Sequence, residues 1–99
     1  MAGPKIVWSG RARIRWYEIL QFYIDRNKSK AFSVKLNGRL QEELRLLRKY
    51  PDLGIKTDIP GIRGLIFDSF ILFYEAEEKT IYIHYIWDSR QDPEKLTIK

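Results

Sequence analysis

The stretch "IRGLIFDSFILFYEAEEKTIYIHYIW", residues 62–87, decides the fold, because apolar and aromatic residues fill it between two short polar breaks. The first break is Asp68-Ser69, and the second is Glu77-Glu78-Lys79. β-Branched and aromatic residues favour strands, and short polar breaks between such runs favour hairpin turns. We therefore predict an antiparallel meander of three strands, at 62–70, 71–78 and 80–87.

The chain before this meander has helical periodicity. From Arg11 to about Arg26, one apolar stripe recurs at the spacing of a helix turn. The stripe consists of Ala12, Trp16, Ile19/Leu20 and Tyr23. Further apolar residues widen the arc, namely Ile14, Tyr17, Phe22 and Ile24. The wide arc predicts that this helix packs against two neighbours.

A second helix is predicted from Ser29, a plausible N-cap, to about Tyr50. Pro51 cannot continue it, because proline lacks the backbone N–H that a helix interior needs. The short connection at 27–29 requires the two helices to fold back as an antiparallel hairpin. The apolar stripe of the second helix is Phe32, Leu36, Leu40, Leu44 and Leu47.

Together these elements predict a single α+β domain over residues 1–99. A short β-prone run at 5–8 precedes the helices, and the prolines and glycines of 51–61 indicate a loop. The element order is then β-α-α-β-β-β. The first strand can join the sheet only if the helical hairpin crosses one face. We predict a twisted, four-stranded, mainly antiparallel sheet with two helices on one face and the other face partly open.

Composition excludes several classes of protein. The 99 residues contain no cysteine and one histidine, so a disulfide scaffold is excluded and a zinc site is disfavoured. We expect no metal and no cofactor. No run approaches the about 18 apolar residues of a membrane span, so we expect a cytoplasmic protein without membrane contact.

Positive charge is concentrated in the first half of the chain. Residues 1–50 carry 12 Lys and Arg against 4 Asp and Glu, a net charge of +8, whereas residues 51–99 carry 6 against 9, a net charge of −3. Such a surface attracts nucleic acid or an acidic protein, although solvated helix faces give the same composition. Arg39 and Arg48 on the second helix are the predicted contacts for such a partner.

Three passages stand out beside the order of the elements: "PDLG" at 51–54, "GIRGL" at 61–65 and "WDSRQDPEKL" at 87–96. Together they resemble the RelE/ParE superfamily of bacterial toxins from type II toxin–antitoxin systems, and the resemblance extends from Lys5 to Leu96. It implies a small basic toxin that a cognate antitoxin neutralises. Some members of the superfamily cleave messenger RNA on the ribosome, whereas others have no nuclease activity and poison DNA gyrase. Whether this chain is an endoribonuclease or no enzyme at all therefore stays open.

Cleavage of RNA through its own 2′-hydroxyl requires a base, an acid and cations for the phosphorane charge. Arg63 and Arg90 could supply the cations, although the meander places them at opposite ends of the sheet. His84 is the residue whose pKa is naturally near neutrality. Strict alternation would place its side chain with Tyr82, Ile86 and Asp88.

The tail after Arg90 bears on the same question. Ribonucleolytic relatives usually place a Tyr, His or Lys close to the final arginine, and here Lys95 is the one candidate. Lys95 is also a predicted contact for the target or the antitoxin, together with Arg39, Arg48 and Tyr82. Asp88 and Asp92 flank Arg90 and would offset its charge. Arg90 is therefore either a turn residue paired with these carboxylates or a residue that contacts the target.

A different class of function is also consistent with these residues. Tyr82 and its aromatic neighbours could form a stacking surface, although aromatic residues in a strand are more often part of the core. The alternative to a toxin is a non-toxic module that binds protein or nucleic acid through the open sheet face and the basic helices.

Overall fold

The structure is a computed structural model that describes residues 3–90. Two helices are flanked by five strands. In chain order the elements are β1 (Lys5–Trp8), α1 (Gly10–Asn27), α2 (Ala31–Lys49), β2 (Ile55–Lys56), β3 (Ile62–Phe67), β4 (Phe70–Ala76) and β5 (Thr80–Asp88).

The strands form one sheet in the order β1-β5-β4-β3-β2. The predicted meander is confirmed, since β3, β4 and β5 pair antiparallel, and β1 joins at the edge, parallel to β5. The predicted number of four strands is wrong, because Ile55–Lys56 pairs with β3 inside the stretch expected to be a loop. Two residues are too few to show period-two alternation, so the sequence pattern could not reveal this strand.

Both helices begin close to the predicted positions. Ser9 caps α1, where its hydroxyl accepts a hydrogen bond from the Ala12 backbone N–H at 2.9 Å. The N-cap position of α2 is Lys30, one residue later than predicted, while the Ser29 hydroxyl accepts from the Ala31 N–H at 3.1 Å. The two helices pack against each other as an antiparallel hairpin, as expected.

The helical stripes form the core against the sheet, except that Leu20 is only half-buried and Phe32 is 37% exposed. The other residues of both predicted stripes are buried, and α1 packs against α2 and β5. The buried α1 residues are Ala12, Trp16, Ile19 and Tyr23.

Three of the additional apolar residues of α1 are largely exposed: Ile14 and Tyr17 are 61% and 67% exposed, and Phe22 is 41% exposed. The fourth, Ile24, is half-buried beside α2. The prediction that α1 packs against two neighbours is confirmed by α2 and β5, although most of the wider arc stays exposed.

A β-bulge in β5 reverses the direction in which its side chains point. The register pairs Phe73 with Tyr85 but Tyr74 with Ile83, so His84 is an extra residue on β5. An extra residue in one strand shifts the alternation of all residues after it.

The consequence of the bulge is a correction to the predicted face of His84. Ile81 and Ile83 are buried before the bulge, and Ile86 and Asp88 are buried after it. The prediction that His84 shares a face with Ile86 and Asp88 is therefore wrong. The bulge turns Asp88 towards the helices.

The sheet face away from the helices is partly open in the described part of the chain, as the sequence predicted. The strand register places eight large apolar residues on it; Ile66 and Tyr82 are 60% and 36% exposed, whereas Phe73 is 3% exposed. These residues are Ile55, Ile62, Ile66, Ile71, Phe73, Tyr82, Tyr85 and Trp87. Neither described helix is long and apolar enough to cross a membrane.

Candidate functional site at Arg90

Asp88 is a fully buried carboxylate at the end of β5. It lies opposite Phe70 in the strand register, on the helix side of the sheet. The Tyr23 hydroxyl donates to Oδ2 at 2.7 Å, and the Arg90 backbone N–H donates to Oδ1 at 2.9 Å. The Ser69 hydroxyl lies 3.4 Å from Oδ1. These donors satisfy a charge that would otherwise be costly to bury.

Arg90 is held on one side and exposed on the other. Its guanidinium lies 4.8 Å above the Tyr23 ring centroid and 5.6 Å from that of Phe70, within cation–π range. Its Nε is 3.5 Å from Asp88 Oδ1, and the side chain is 47% exposed. Asp88 thus ties Arg90 into the turn, while the open half can still contact a partner. Asp92 lies outside the described residues.

Tyr23 is a neutral hydrogen-bond donor in this arrangement. Burial, the hydrogen bond to Asp88 and the negative charge of Asp88 raise the pKa of Tyr23 to about 12. A group with so high a pKa transfers protons poorly at neutral pH. Tyr23 therefore orients Asp88 and Arg90 and is a poor candidate for acid–base catalysis.

A cleft of about 400 Å³ opens beside Arg90, between α2 and the β3–β4 turn. Lys35 and Arg39 line the α2 wall, and Asp68 lies in the turn. Arg39 Nε is 2.6 Å from Asp68 Oδ2. This pair raises the pKa of Arg39, first through the hydrogen bond and then through the charge of Asp68. Three cations therefore line one opening.

Arg63 lies at the other end of the sheet. Arg63 pairs with Tyr74, near the end of β4. Arg90 lies two residues after Asp88, which pairs with Phe70 at the start of β4. The Arg63 Nη1 donates to the Gly54 carbonyl at 2.8 Å. Arg63 is therefore tied to the loop after α2, and the structure does not bring it together with Arg90.

His84 is also remote from the cleft. Its Nε2 is 3.1 Å from Glu75 Oε1, on the open face of the sheet. Four residues of strand separate it from Asp88, a distance of about 13 Å. His84 and Arg90 therefore lie on opposite faces and do not form one site.

The residues predicted to bind a partner are spread over the molecule. Arg39 lines the cleft, whereas Arg48 Nε donates to the Pro4 carbonyl at 3.0 Å near β1. Tyr82 is on the open face. Lys95 lies outside the described residues.

Sequence reasoning did not identify the roles of Tyr23 and Phe70. Tyr23 is part of the predicted apolar stripe, and Phe70 follows the polar Asp68-Ser69 break. Their pairing with Arg90 joins residues 20 to 67 positions apart, which no local pattern can indicate. One signal could have pointed to Tyr23: a carboxylate at the end of an apolar strand, such as Asp88, needs a hydrogen-bond donor if it is buried.

The described residues give no sign of a metal centre. They contain no group of three or more His, Cys, Asp or Glu residues arranged to hold an ion.

Comparison with known proteins agrees with this fold. A solved chain described as the chromosomal ParDE toxin–antitoxin system from P. aeruginosa superposes with a TM-score of 0.73 at 20% identity, over 84% of this chain and 92% of that chain. No curated protein sequence matches. The family model described as the ParE toxin of the type II toxin–antitoxin system parDE matches residues 6–93. The chain therefore belongs to the ParE toxin family of type II toxin–antitoxin systems.

Proposed function

We propose that this toxin inhibits growth by poisoning DNA gyrase without catalysing RNA cleavage, and that a cognate antitoxin neutralises it. The proposal combines the ParE family membership with the chemistry around Arg90. Among the members of the superfamily, nuclease activity requires groups that exchange protons with RNA.

The observation that carries the proposal is the set of side chains that pair with the Arg90 guanidinium or stack against it. Within residues 3–90 the ring contacts are Tyr23 and Phe70, and the ion-pair partner is Asp88. Phe70 has no exchangeable proton, and the pKa of Tyr23 is about 12. Asp88 is fully buried and already accepts hydrogen bonds from Tyr23 and from the Arg90 backbone. This arrangement suits charge recognition better than proton transfer.

In this proposal Arg90 contacts the target, with Arg63 as a secondary candidate. The Tyr23 and Phe70 rings fix the guanidinium from one side, so less side-chain entropy is lost when the exposed side binds. A guanidinium can donate two parallel hydrogen bonds to a carboxylate or a phosphate.

The antitoxin is proposed to be an amphipathic, acidic segment that contacts the basic helices and the open sheet face. The net charge of +8 on residues 1–50 and the exposed apolar residues of the sheet support this arrangement. Opposite charges would steer the two proteins together, and apolar burial would hold them.

Induction of the protein in a bacterium tests the toxin function. We expect growth to stop on induction and to continue when the cognate antitoxin is co-expressed. Growth that is unaffected by induction of a stable, folded protein would favour the alternative, a non-toxic binding module.

A further inference from the structure

The cleft beside Arg90 combines cations with an apolar floor. Lys35 and Arg39 are one turn apart on the same face of α2, and Arg90 faces them from the end of β5. Leu36 forms the buried floor and Phe32 the half-exposed rim. The cleft therefore offers charge and apolar surface within about 400 Å³.

Within residues 3–90 the cations of the cleft retain free donors. Lys35 has no hydrogen-bond or ion-pair partner in this part of the chain. Arg39 and Arg90 contact Asp68 and Asp88 through Nε. A guanidinium has five N–H donors, so the terminal nitrogens of both arginines can still donate to an incoming anion.

The chemistry of the cleft favours a carboxylate on a polypeptide over a nucleic-acid phosphate. Asp68 in the wall would repel the many closely spaced charges of a polynucleotide more strongly than the single carboxylate of one side chain, and the buried Leu36 offers an apolar surface that suits an aliphatic side chain. A peptide can carry an acidic and an apolar side chain on neighbouring turns. The basic first half of the chain also attracts an acidic partner.

We propose that the cleft binds an Asp or Glu side chain of the antitoxin, held among Lys35, Arg39 and Arg90, with an apolar antitoxin residue on Leu36 and Phe32. The inference rests on the proposed neutralisation by an antitoxin and adds the place and chemistry of one contact. Since Arg90 is also the proposed target contact, the antitoxin and the target compete for this cleft.

Two matched charge reversals on α2 test the inference. Lys35→Glu reverses a cation inside the cleft. Lys49→Glu makes the same change of net charge on the same helix, about 21 Å away at 1.5 Å per residue. By calorimetry with the purified antitoxin, we expect Lys35→Glu to raise Kd by about tenfold or more, and Lys49→Glu by less than about threefold.

A third variant is expected to have the opposite effect. Asp68 has a positive φ of 51° in the β3–β4 turn, a conformation that asparagine also tolerates. Asp68→Asn keeps the turn but removes the carboxylate that competes for Arg39. We expect it to lower the Kd for the antitoxin by about two- to fivefold, as expected for loss of a like-charge contact.

Equal effects of Lys35→Glu and Lys49→Glu would overturn the inference, because only the net charge would then matter. Weaker antitoxin binding by Asp68→Asn would also overturn it, as would a Lys35→Glu variant that loses binding to a single-stranded oligonucleotide but not to the antitoxin. Growth arrest and rescue by the antitoxin, measured with the same variants, report on the proposed function separately. If both variants still arrest growth and raise the Kd for the antitoxin equally, the cleft is not the antitoxin contact, but the protein is still a toxin.

Discussion

The Arg90 side chain packs on one side against Tyr23 and Phe70 and is exposed on the other. The sequence offered pairing with Asp88 or Asp92 as one alternative for Arg90, because all three lie in one short segment, and the structure shows the contact with Asp88. It could not identify Tyr23, whose contact with Asp88 depends on how α1 crosses β5. The sequence also suggested His84 as a catalytic candidate, and the bulge places it on the opposite face.

Arg90→Ala should reduce toxicity with little loss of stability. Arg90 is half-exposed and its Nε lies 3.5 Å from the buried Asp88 carboxylate, which keeps its hydrogen bonds from Tyr23 and from the backbone N–H of residue 90 in this variant. Loss of the side chain should therefore cost only about 1 kcal/mol of the free energy of unfolding. A charge-assisted contact with a target is worth more, on the order of 1.5–3 kcal/mol. We expect weaker growth arrest and an almost unchanged melting temperature.

His84→Gln is the matched control for Arg90→Ala in the same growth assay. We expect the histidine variant to remain toxic, because His84 pairs with Glu75 away from the cleft. Loss of toxicity in the histidine variant alone would favour acid–base catalysis. Full toxicity of both variants would make Arg90 a structural cap of β5.

Tyr23 predicts a specific dependence of stability on alkaline pH. Its pKa is about 12 in the folded protein against 10.0 as the reference value. Folding thus favours the protonated hydroxyl, so this stabilisation is complete below pH 10 and is lost as the pH rises towards 12. Urea unfolding between pH 9 and 12 should show the free energy of unfolding falling in the wild type. The fall should be smaller in Tyr23→Phe. Identical pH profiles would contradict the assigned contact with Asp88.

Contacts with Tyr74 explain why the loop after α2 has Pro51 and Gly54 in its "PDLG" sequence at 51–54. The buried Tyr74 hydroxyl donates to the Pro51 carbonyl at 2.7 Å and accepts from the Gly54 N–H at 2.8 Å. A Cβ at Gly54 would lie 2.7 Å from Tyr74 Cε1 and 2.9 Å from the Gly64 carbonyl oxygen. Only glycine allows this close approach.

Gly54→Ala should therefore destabilise the fold, by about 1–3 kcal/mol for an overpacked position. Gly38→Ala is the control, since a Cβ at this position in α2 meets no described atom within 4 Å. Alanine is the better helix former, so Gly38→Ala should stabilise by about 0.5–1 kcal/mol. Denaturant unfolding would measure both. A neutral Gly54→Ala would contradict the tight packing on Tyr74.

The elements themselves were largely predictable because their signals are local. Helical periodicity and two polar breaks located both helices and the three meander strands, with ends shifted by up to three residues. The bulge at His84 was not predictable, because it is visible only in the register with β4. The strand Ile55–Lys56 likewise depends on its pairing with β3.

The charge asymmetry of the whole molecule should control how fast the antitoxin binds. Reversing Arg39 and Arg48 to Glu should slow association, most strongly at low salt, because salt screens steering between exposed charges. A Lys56→Glu and Lys79→Glu double variant changes the net charge equally on the strand half of the chain. Stopped-flow association rates should fall more for the arginine pair. Equal rates for both double variants at low ionic strength would exclude the basic helices as the docking surface.

DNA gyrase as the cellular target can be tested in one experiment. After induction of the wild-type toxin, DNA breaks covalently linked to gyrase and the 5′ ends of cellular RNA are mapped in the same culture, with Arg90→Ala as the control. We predict an increase in gyrase-linked DNA breaks that the control reduces, and no new RNA ends within translated codons. New RNA ends in ribosome-bound messages, without gyrase-linked breaks, would contradict the account and identify the protein as an endoribonuclease.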